Sequence, residues 1–439
     1  MSLYEKDSIV ALATPRGIGA IAVIRISGDS LSDLFLKLTN VKKIKPRHAY
    51  YKDILSSSGE ILDHSLVVFF KGPSSFTGED VIEISCHGGE AVSKKIINQI
   101  ISYGSRQAEP GEFSKRAFMN GKLDLTEAEA INGIIHSRSS LEAKNSLMSL
   151  EGKTQKNLKI AKKELTDLLT IVEHELDFVE EEISHLSSKK MRKTLKSAIA
   201  SLEKIVRGSL VGKKIGTGFK VVLVGVPNAG KSSLFNSILG YNKAIVSKTK
   251  GTTRDVVEAF VEIGEYPVIL CDTAGHHKSK NRLDLEGIKK TEEAIDGADI
   301  VVVVDQKNPS SFIKPFKIKN KPIINVISKI DLSGERGDSS LGVSALKNIN
   351  IDVLLTRLST LIKTSFFDDG AFFASERQVL LLESSLRDLK QLLNGSNEID
   401  MVGFSSVLRR SVSSLQEVFG EVYNEDVLNA VFKGFCVGK

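Results

Sequence analysis

The sequence predicts a multi-domain protein of mixed α/β and α class, with an N-terminal α+β domain, a discontinuous helical domain and an α/β domain inserted into the helical one. Three observations predict it. A chain of 439 residues exceeds what one hydrophobic core usually organises. Four of its nine prolines lie at or before Pro110, five lie between Pro227 and Pro322, and the stretches between and after have none. Long helices run unbroken in such proline-free stretches, because an interior proline removes a backbone donor and clashes with the preceding turn. Last, two segments of helical periodicity flank a middle segment that reads as strands and turns.

The N-terminal region, residues 1–118, alternates short apolar runs with glycine-marked turns. Ile21 to Ile26, Leu66 to Phe70 and Val81 to Ser85 read as strands, punctuated by Gly17, Gly19, Gly28, Gly72, Gly88 and Gly89. From about Leu123 the pattern turns helical. Leu165, Leu168, Leu169, Val172, Leu176 and Val179 recur at the spacing of one helix face, with charged residues elsewhere. The acidic run Glu180 to Glu182 is a solvated helix face on this reading. Helical periodicity returns with Val379, Leu382, Leu386, Leu389 and Leu393 and continues almost to the end. The expected helical domain is therefore 119–216 plus 376–439, and the inserted domain is 217–375.

Composition bounds the class. Hydrophobic residues make up 41% and charged residues 26%, as in ordinary globular proteins. The longest apolar runs, such as Ile300 to Val304, are too short to cross a bilayer, and no secretion-signal order opens the chain. No membrane association is expected. Cys86, Cys271 and Cys436 are too scattered for a disulfide framework or a metal cluster, which fits a cytoplasmic, reducing setting. A net charge of +6 suits a polyanion such as RNA, but spread over the whole length it is mild.

The insert opens with the apolar run Phe219 to Val224. Gly225-Val-Pro-Asn-Ala-Gly-Lys-Ser232 follows, then a helix from about Ser233. Strand, glycine-rich turn and helix start form the context that confirms a P-loop. Backbone N–H groups of Asn228, Ala229, Gly230 and the helix start at Ser232 and Ser233 would cradle a β-phosphate. Lys231 would reach the β- and γ-phosphates, and the Ser232 hydroxyl would bind Mg²⁺. Gly251-Thr-Thr-Arg-Asp255 fits a switch loop, with Thr253 completing the Mg²⁺ shell. Val268 to Cys271 is a strand ending in Asp272-Thr273-Ala274-Gly275, where Asp272 sits near the metal and the Gly275 N–H meets a γ-phosphate. Pro322 to Ile327 leads into Ser328-Lys329-Ile330-Asp331. The Asp331 carboxylate accepts both guanine donors, which adenine does not offer, so GTP is preferred to ATP. Ser344 and Ala345 open the companion loop that gives an N–H to the guanine oxygen. These motifs, in this order, define a Ras-like G domain.

Two positions depart from the usual pattern. The base-reading motif begins with Ser328 where Asn is usual. Serine is shorter and is expected not to tie the loops together in the same way, with weaker nucleotide binding as the consequence. His276 and His277 follow Gly275, where many GTPases carry a water-orienting Gln.

The whole chain resembles the MnmE/TrmE tRNA-modification GTPases. The resemblance lies in the flanks as much as in the G domain. Ser75-Phe-Thr-Gly-Glu-Asp-Val-Ile-Glu83 with His87-Gly-Gly89 looks like that family's N-terminal domain, and so does Ala108-Glu-Pro-Gly-Glu-Phe-Ser-Lys-Arg-Ala-Phe118 followed by Asn120-Gly-Lys-Leu-Asp124. Phe435-Cys-Val-Gly-Lys439 resembles its terminal signature. The resemblance implies an N-terminal domain that binds a tetrahydrofolate derivative (5-formyl- or methylene-) and forms a homodimer. It implies a FAD-dependent partner protein, in a heterotetramer, and an aminomethyl-type group installed at the 5-position of the tRNA wobble uridine. The implied folate site is Arg25, Glu83, Lys122 and Lys439. Without the family, Arg25 and Glu83 read as a sheet-edge ion pair.

The resemblance also implies activation by K⁺ and by pairing of G domains. Asn228 would hold K⁺ against the phosphates, with oxygens of Ser247, Thr249 and Thr252, as a cation neutralising charge in phosphoryl transfer. Read alone, Asn228 stabilises the loop turn. The family's water-positioning carboxylate falls at Asp284 here, with His276 and then Glu286 as substitutes, and both histidines also read as solvated loop residues. Cys436 is a candidate nucleophile towards uridine, with Lys433 and Lys439 to lower its pKa, or a contact residue on a tail. Cys86 and Cys271 read as core. Two rival functions remain: a GTPase docking on ribosomal RNA, and a folate enzyme regulated by its G domain. The first is disfavoured because no recognisable RNA-binding module follows residue 375, and the second predicts one-carbon turnover without GTP.

Overall fold

The structure, a computed structural model, describes residues 7–177, 188–241, 257–273, 285–316, 318, 321–333, 340–367, 374–394 and 401–439. The chain divides into two compact units, Met1–Asn132 with Gln416–Lys439, and Gly133–Leu415.

In the first unit β1 (Ile9–Leu12), β2 (Ile21–Gly28), β3 (Ala49–Leu55), β4 (Ile61–Phe70), β5 (Asp80–His87) and β6 (Arg106–Gln107) form one sheet in the order β3-β4-β5-β2-β1-β6. Helices α1 (Ser32–Thr39) and α2 (Glu90–Ser102) cover one face. Alternation decides which side chains go there: Ala22, Ile24 and Ile26 of β2 and Ile82 and Ile84 of β5 join Phe35, Ile96 and Ile100 in a core, since successive strand residues point to opposite faces. The intervening residues Arg25 and Glu83 are register partners on the other face. Helix α3 (Glu112–Met119) and α15 (Glu425–Lys433) belong to this unit as well, Phe432 and Phe435 packing with Leu125 and Ala128. Asn424 caps α15 by accepting from the Asp426 N–H.

The second unit carries α5 (Ser140–Leu150), α6 (Lys153–Asp177), α7 (Ser188–Thr217), α13 (Glu376–Asn394) and a six-stranded sheet. The division falls inside two helices, after Asn132 in α4 (Leu125–His136) and after Leu415 in α14 (Met401–Phe419). The sheet is built from β7 (Phe219–Val224), β8 (Val257–Ile263), β9 (Tyr266–Asp272), β10 (Ile300–Asp305), β11 (Ile323–Ile327) and β12 (Leu341–Gly342), ordered β12-β11-β10-β7-β9-β8. All pairs are parallel except β8 with β9. Strands buried on both faces need continuous apolar runs, and Ile300 to Val304 supplies one with every residue fully buried. Helices α8 (Lys231–Tyr241), α9 (Leu285–Gly297), α10 (Pro309–Ile313), α11 (Ile330–Ser333) and α12 (Ile351–Phe366) complete the order. Asp299 clamps the seam where α7 runs into β7, taking the Lys214 ammonium at 2.8 Å and the Lys220 N–H at 2.9 Å.

Candidate functional site

β7 lies between β10 and β9, so the loop at its carboxyl end opens where the strand order diverges, the usual ligand crevice of such sheets. That loop is Gly225 to Gly230. A Cβ on Gly225 would stand 2.0 Å from the Val304 carbonyl oxygen, at φ 152°, so only glycine lets the loop pass β10 this closely. Asn228 takes a left-handed φ of 63°, a conformation asparagine tolerates better than most. The Leu234 N–H then donates to Gly230 at 2.9 Å and α8 begins. Ser232 and Ser233 are exposed on its first turn.

Lys231 is 4% exposed, and its ammonium donates to the Gly225 and Val226 carbonyls at 2.9 Å each. Burial holds its pKa below the usual lysine range, with Asp272 opposing. A poorly solvated cation at the start of a helix is suited to receive a phosphate. Asp272 is 4% exposed at the end of β9, and the Thr273 hydroxyl ties that strand to β7 by donating to Leu223 at 2.9 Å.

The segment after β11 is bound to the same loop. The Ser328 hydroxyl donates to the Ala229 carbonyl at 2.5 Å, Lys329 donates to the Asn228 carbonyl at 2.9 Å, and Gln306 donates to that same oxygen at 3.1 Å. Serine was expected not to tie the loops in the way Asn does; Ser328, 5% exposed, ties them through its hydroxyl. The Ser344 hydroxyl bonds to the Asp331 carboxyl and holds its pKa below the usual aspartate range. Ser344 is fully buried and bridges Ile349 in both directions, at 3.1 and 3.0 Å. Ala345 begins the turn it anchors. The tie through Gln306 was not anticipated; the signal was its place directly after β10, beside the P-loop.

Ser247, Thr249, Gly251, Thr252, Thr253, Ala274, Gly275, His276, His277 and Asp284 lie outside the described residues, as does the side chain of Glu286. The oxygen donors that are described, Ser232 and Asp272, suit a hard cation such as Mg²⁺.

A second cluster lies on the sheet face of the first unit that packs against Phe76 and Phe113. Arg25 donates to Glu83 through Nε at 2.9 Å and reaches the Gly438 carbonyl at 3.3 Å. Its guanidinium stands 5.5 Å from the Phe76 ring centre and 5.9 Å from that of Phe113. Lys439 is held below the usual lysine range by burial and by Arg25, against Cys436 and Glu83. Arg25, Glu83 and Lys439 thus act on one another electrostatically. Lys122 is exposed and lines a cavity of about 470 Å³ with Phe118, Glu421 and Tyr423. Gly438, at φ 93°, lets the tail touch β1: a Cβ there would fall 2.6 Å from the Leu12 carbonyl oxygen. Cys436 is exposed and its carbonyl accepts from Gly111 at 3.4 Å. Cys86 and Cys271 are buried on β5 and β9, and burial raises their pKa values to about 11 and about 12.

Residues 8–122 match the family described as the GTP-binding protein TrmE N-terminus, and residues 125–436 match the MnmE helical domain. The chain belongs to the MnmE family. A tRNA modification GTPase MnmE of Aquifex aeolicus is 34% identical over 99% of this chain and all of its own length. That of Francisella philomiragia is 36% identical over the full length of both. Among solved structures, the cytosolic domain of the T. maritima FeoB iron transporter covers 46% of this chain and 98% of its own, at 19% identity and a TM-score of 0.27. Membership of the MnmE family and the P-loop geometry make this chain a P-loop GTP hydrolase. Among the described residues no helix is long and apolar enough to cross a membrane.

Proposed function

We propose that the chain is a K⁺-dependent GTPase that acts on tRNA. With a FAD-dependent partner protein, in a heterotetramer, it uses a tetrahydrofolate one-carbon unit to place an aminomethyl-type group at the 5-position of the wobble uridine. The observation that carries this is the end-to-end likeness to tRNA modification GTPases, which takes in the Arg25 cluster as well as the P-loop. On this reading the chain is a homodimer with domains at 1–118, 119–216 plus 376–439, and 217–375, and it works in the cytoplasm.

Each group has its task. Lys231 meets the β- and γ-phosphates, and Asp331 accepts the guanine donors. Ser232 and Thr253 hold Mg²⁺, and Asn228 with Ser247, Thr249 and Thr252 holds K⁺; bound there, the cations supply positive charge against the phosphates. Asp284, or failing it His276 or Glu286, orients the attacking water. Arg25 and Lys439 bind the glutamate tail of the folate and Glu83 accepts from its pterin, with Lys122 as a further cation. A folate bound there supplies the one-carbon unit, and Cys436 is the candidate nucleophile.

The experiment is mass spectrometry of tRNA nucleosides from cells lacking the protein. Loss of the modified wobble uridine, restored by the wild type and not by Lys231→Ala, is the expected result. Unchanged nucleosides with altered ribosomal particles would transfer the GTPase to ribosome assembly.

A further inference from the structure

Helix α7 has nine lysines and arginines and one acidic residue, Glu203, in 30 residues. Its charge alone exceeds the +6 of the whole chain, so the mild average conceals one strongly basic element. At 100° per residue, Lys193, Lys196, Lys204 and Arg207 fall within one narrow arc, and all four are exposed. The opposite arc holds Leu195, Ala198, Leu202, Ile205 and Ser209, all buried, on a helix that packs with α6 and α13. Glu203 beside the stripe is matched by Lys390 of α13 at 2.5 Å, which brings a further cation to its edge. Among the described residues no ion pair engages Lys193, Lys196 or Lys204.

From this we infer that the outer face of α7 is the surface that receives the phosphate backbone of the RNA substrate; the inference rests on the tRNA reading above. The stripe spans about 21 Å at 1.5 Å per residue, long enough to meet several phosphates of one strand. Lysines on a rigid helix bind backbone phosphates as point charges and carry no base information, which suits a surface that positions an RNA while chemistry occurs elsewhere. An acidic membrane is the other polyanion such a stripe could meet. A helix lying on lipid buries an apolar face in it, however, and here that face is already used against α6 and α13.

The test is binding of an unmodified tRNA transcript to the full-length chain across a salt series, for wild type and for Lys193→Ala/Lys196→Ala/Lys204→Ala. Alanine at exposed helical sites keeps the helix, and an unchanged GTP hydrolysis rate verifies the fold. The expected result is a loss of affinity of about tenfold or more, with the slope of log K against log salt reduced by about one for each lysine removed. Wild-type binding with the same affinity and slope in the variant would overturn the surface and leave the tRNA reading intact. Failure of the wild type itself to bind tRNA would overturn both. Loss of binding to phosphatidylglycerol vesicles, with tRNA binding untouched, would reassign the stripe to lipid.

Discussion

The Ser328 hydroxyl reaches the carbonyl oxygen of Ala229 at 2.5 Å, joining two loops that are 99 positions apart in the chain. On the proposed function the nucleotide's base and its phosphates are read by loops fixed to each other, so loss of one contact affects both.

Ser328→Ala leaves a buried carbonyl without its donor, at a cost of about 1–3 kcal/mol. Affinity for a fluorescent GDP analogue should fall roughly five- to hundredfold. Unchanged affinity would mean that Lys329 and Gln306 hold the loops by themselves.

Asp331→Asn should exchange the base preference. The carboxylate accepts two guanine donors, whereas an amide presents a donor that matches the extra carbonyl of xanthine. The ratio of GTP to XTP affinity, measured by competition, should fall by about two orders of magnitude. Because the Ser344 hydroxyl keeps this carboxyl below the usual aspartate range, guanine preference in the wild type should persist as pH falls through the ordinary aspartate value.

Gly438→Ala places a methyl against the Leu12 carbonyl at a φ of 93°, which displaces the tail and moves Lys439 off Arg25. Calorimetry should then show the loss of 5-formyl-tetrahydrofolate binding while GTP hydrolysis continues at the wild-type rate. Retained folate binding would remove Lys439 from the proposed site.

Stability of the first unit should depend on acid. Burial pushes Glu112 up, but hydrogen bonds from Arg106, the Glu109 N–H and Arg116 outweigh it and hold its carboxyl below the ordinary 4.5. A depressed carboxyl contributes stability that is present above its unfolded value and lost as pH falls through its folded one. The midpoint of chemical unfolding should therefore hold steady above about pH 5 and drop below it, and Glu112→Gln should flatten that drop.

The strongest periodic signals in the sequence became elements: Phe219 to Val224 is β7, Ile300 to Val304 lies within β10, and Val379 to Leu393 runs along α13. β1, β3 and β8 were not legible. Each is short or half-exposed, as in β3, where only Ile54 is buried, so pairing with neighbours decides them more than their own pattern does. The strand, turn and helix of the P-loop were legible because phosphate chemistry fixes both residue types and spacing. The Ser328 tie was not, because whether a short side chain reaches a partner depends on backbone approach, which a motif does not encode. Arg25 and Glu83 were legible as an ion pair but expected at a sheet edge, whereas β2 and β5 are inner strands, and their meeting with Gly438 joins opposite ends of the chain.

That meeting has a temporal side. During synthesis residues 7–132 emerge well before residues 416–439, and at 5–20 residues per second the interval is roughly 15–60 s. Throughout it, Leu125 and Ala128 lack Leu428, Phe432 and Phe435, the partners that later bury them. The nascent N-terminal unit is therefore an unfinished surface while the GTP-binding sheet is being made behind it. A chain abandoned after α13 would contain every strand of the second sheet, yet Leu125 and Ala128 would stay uncovered.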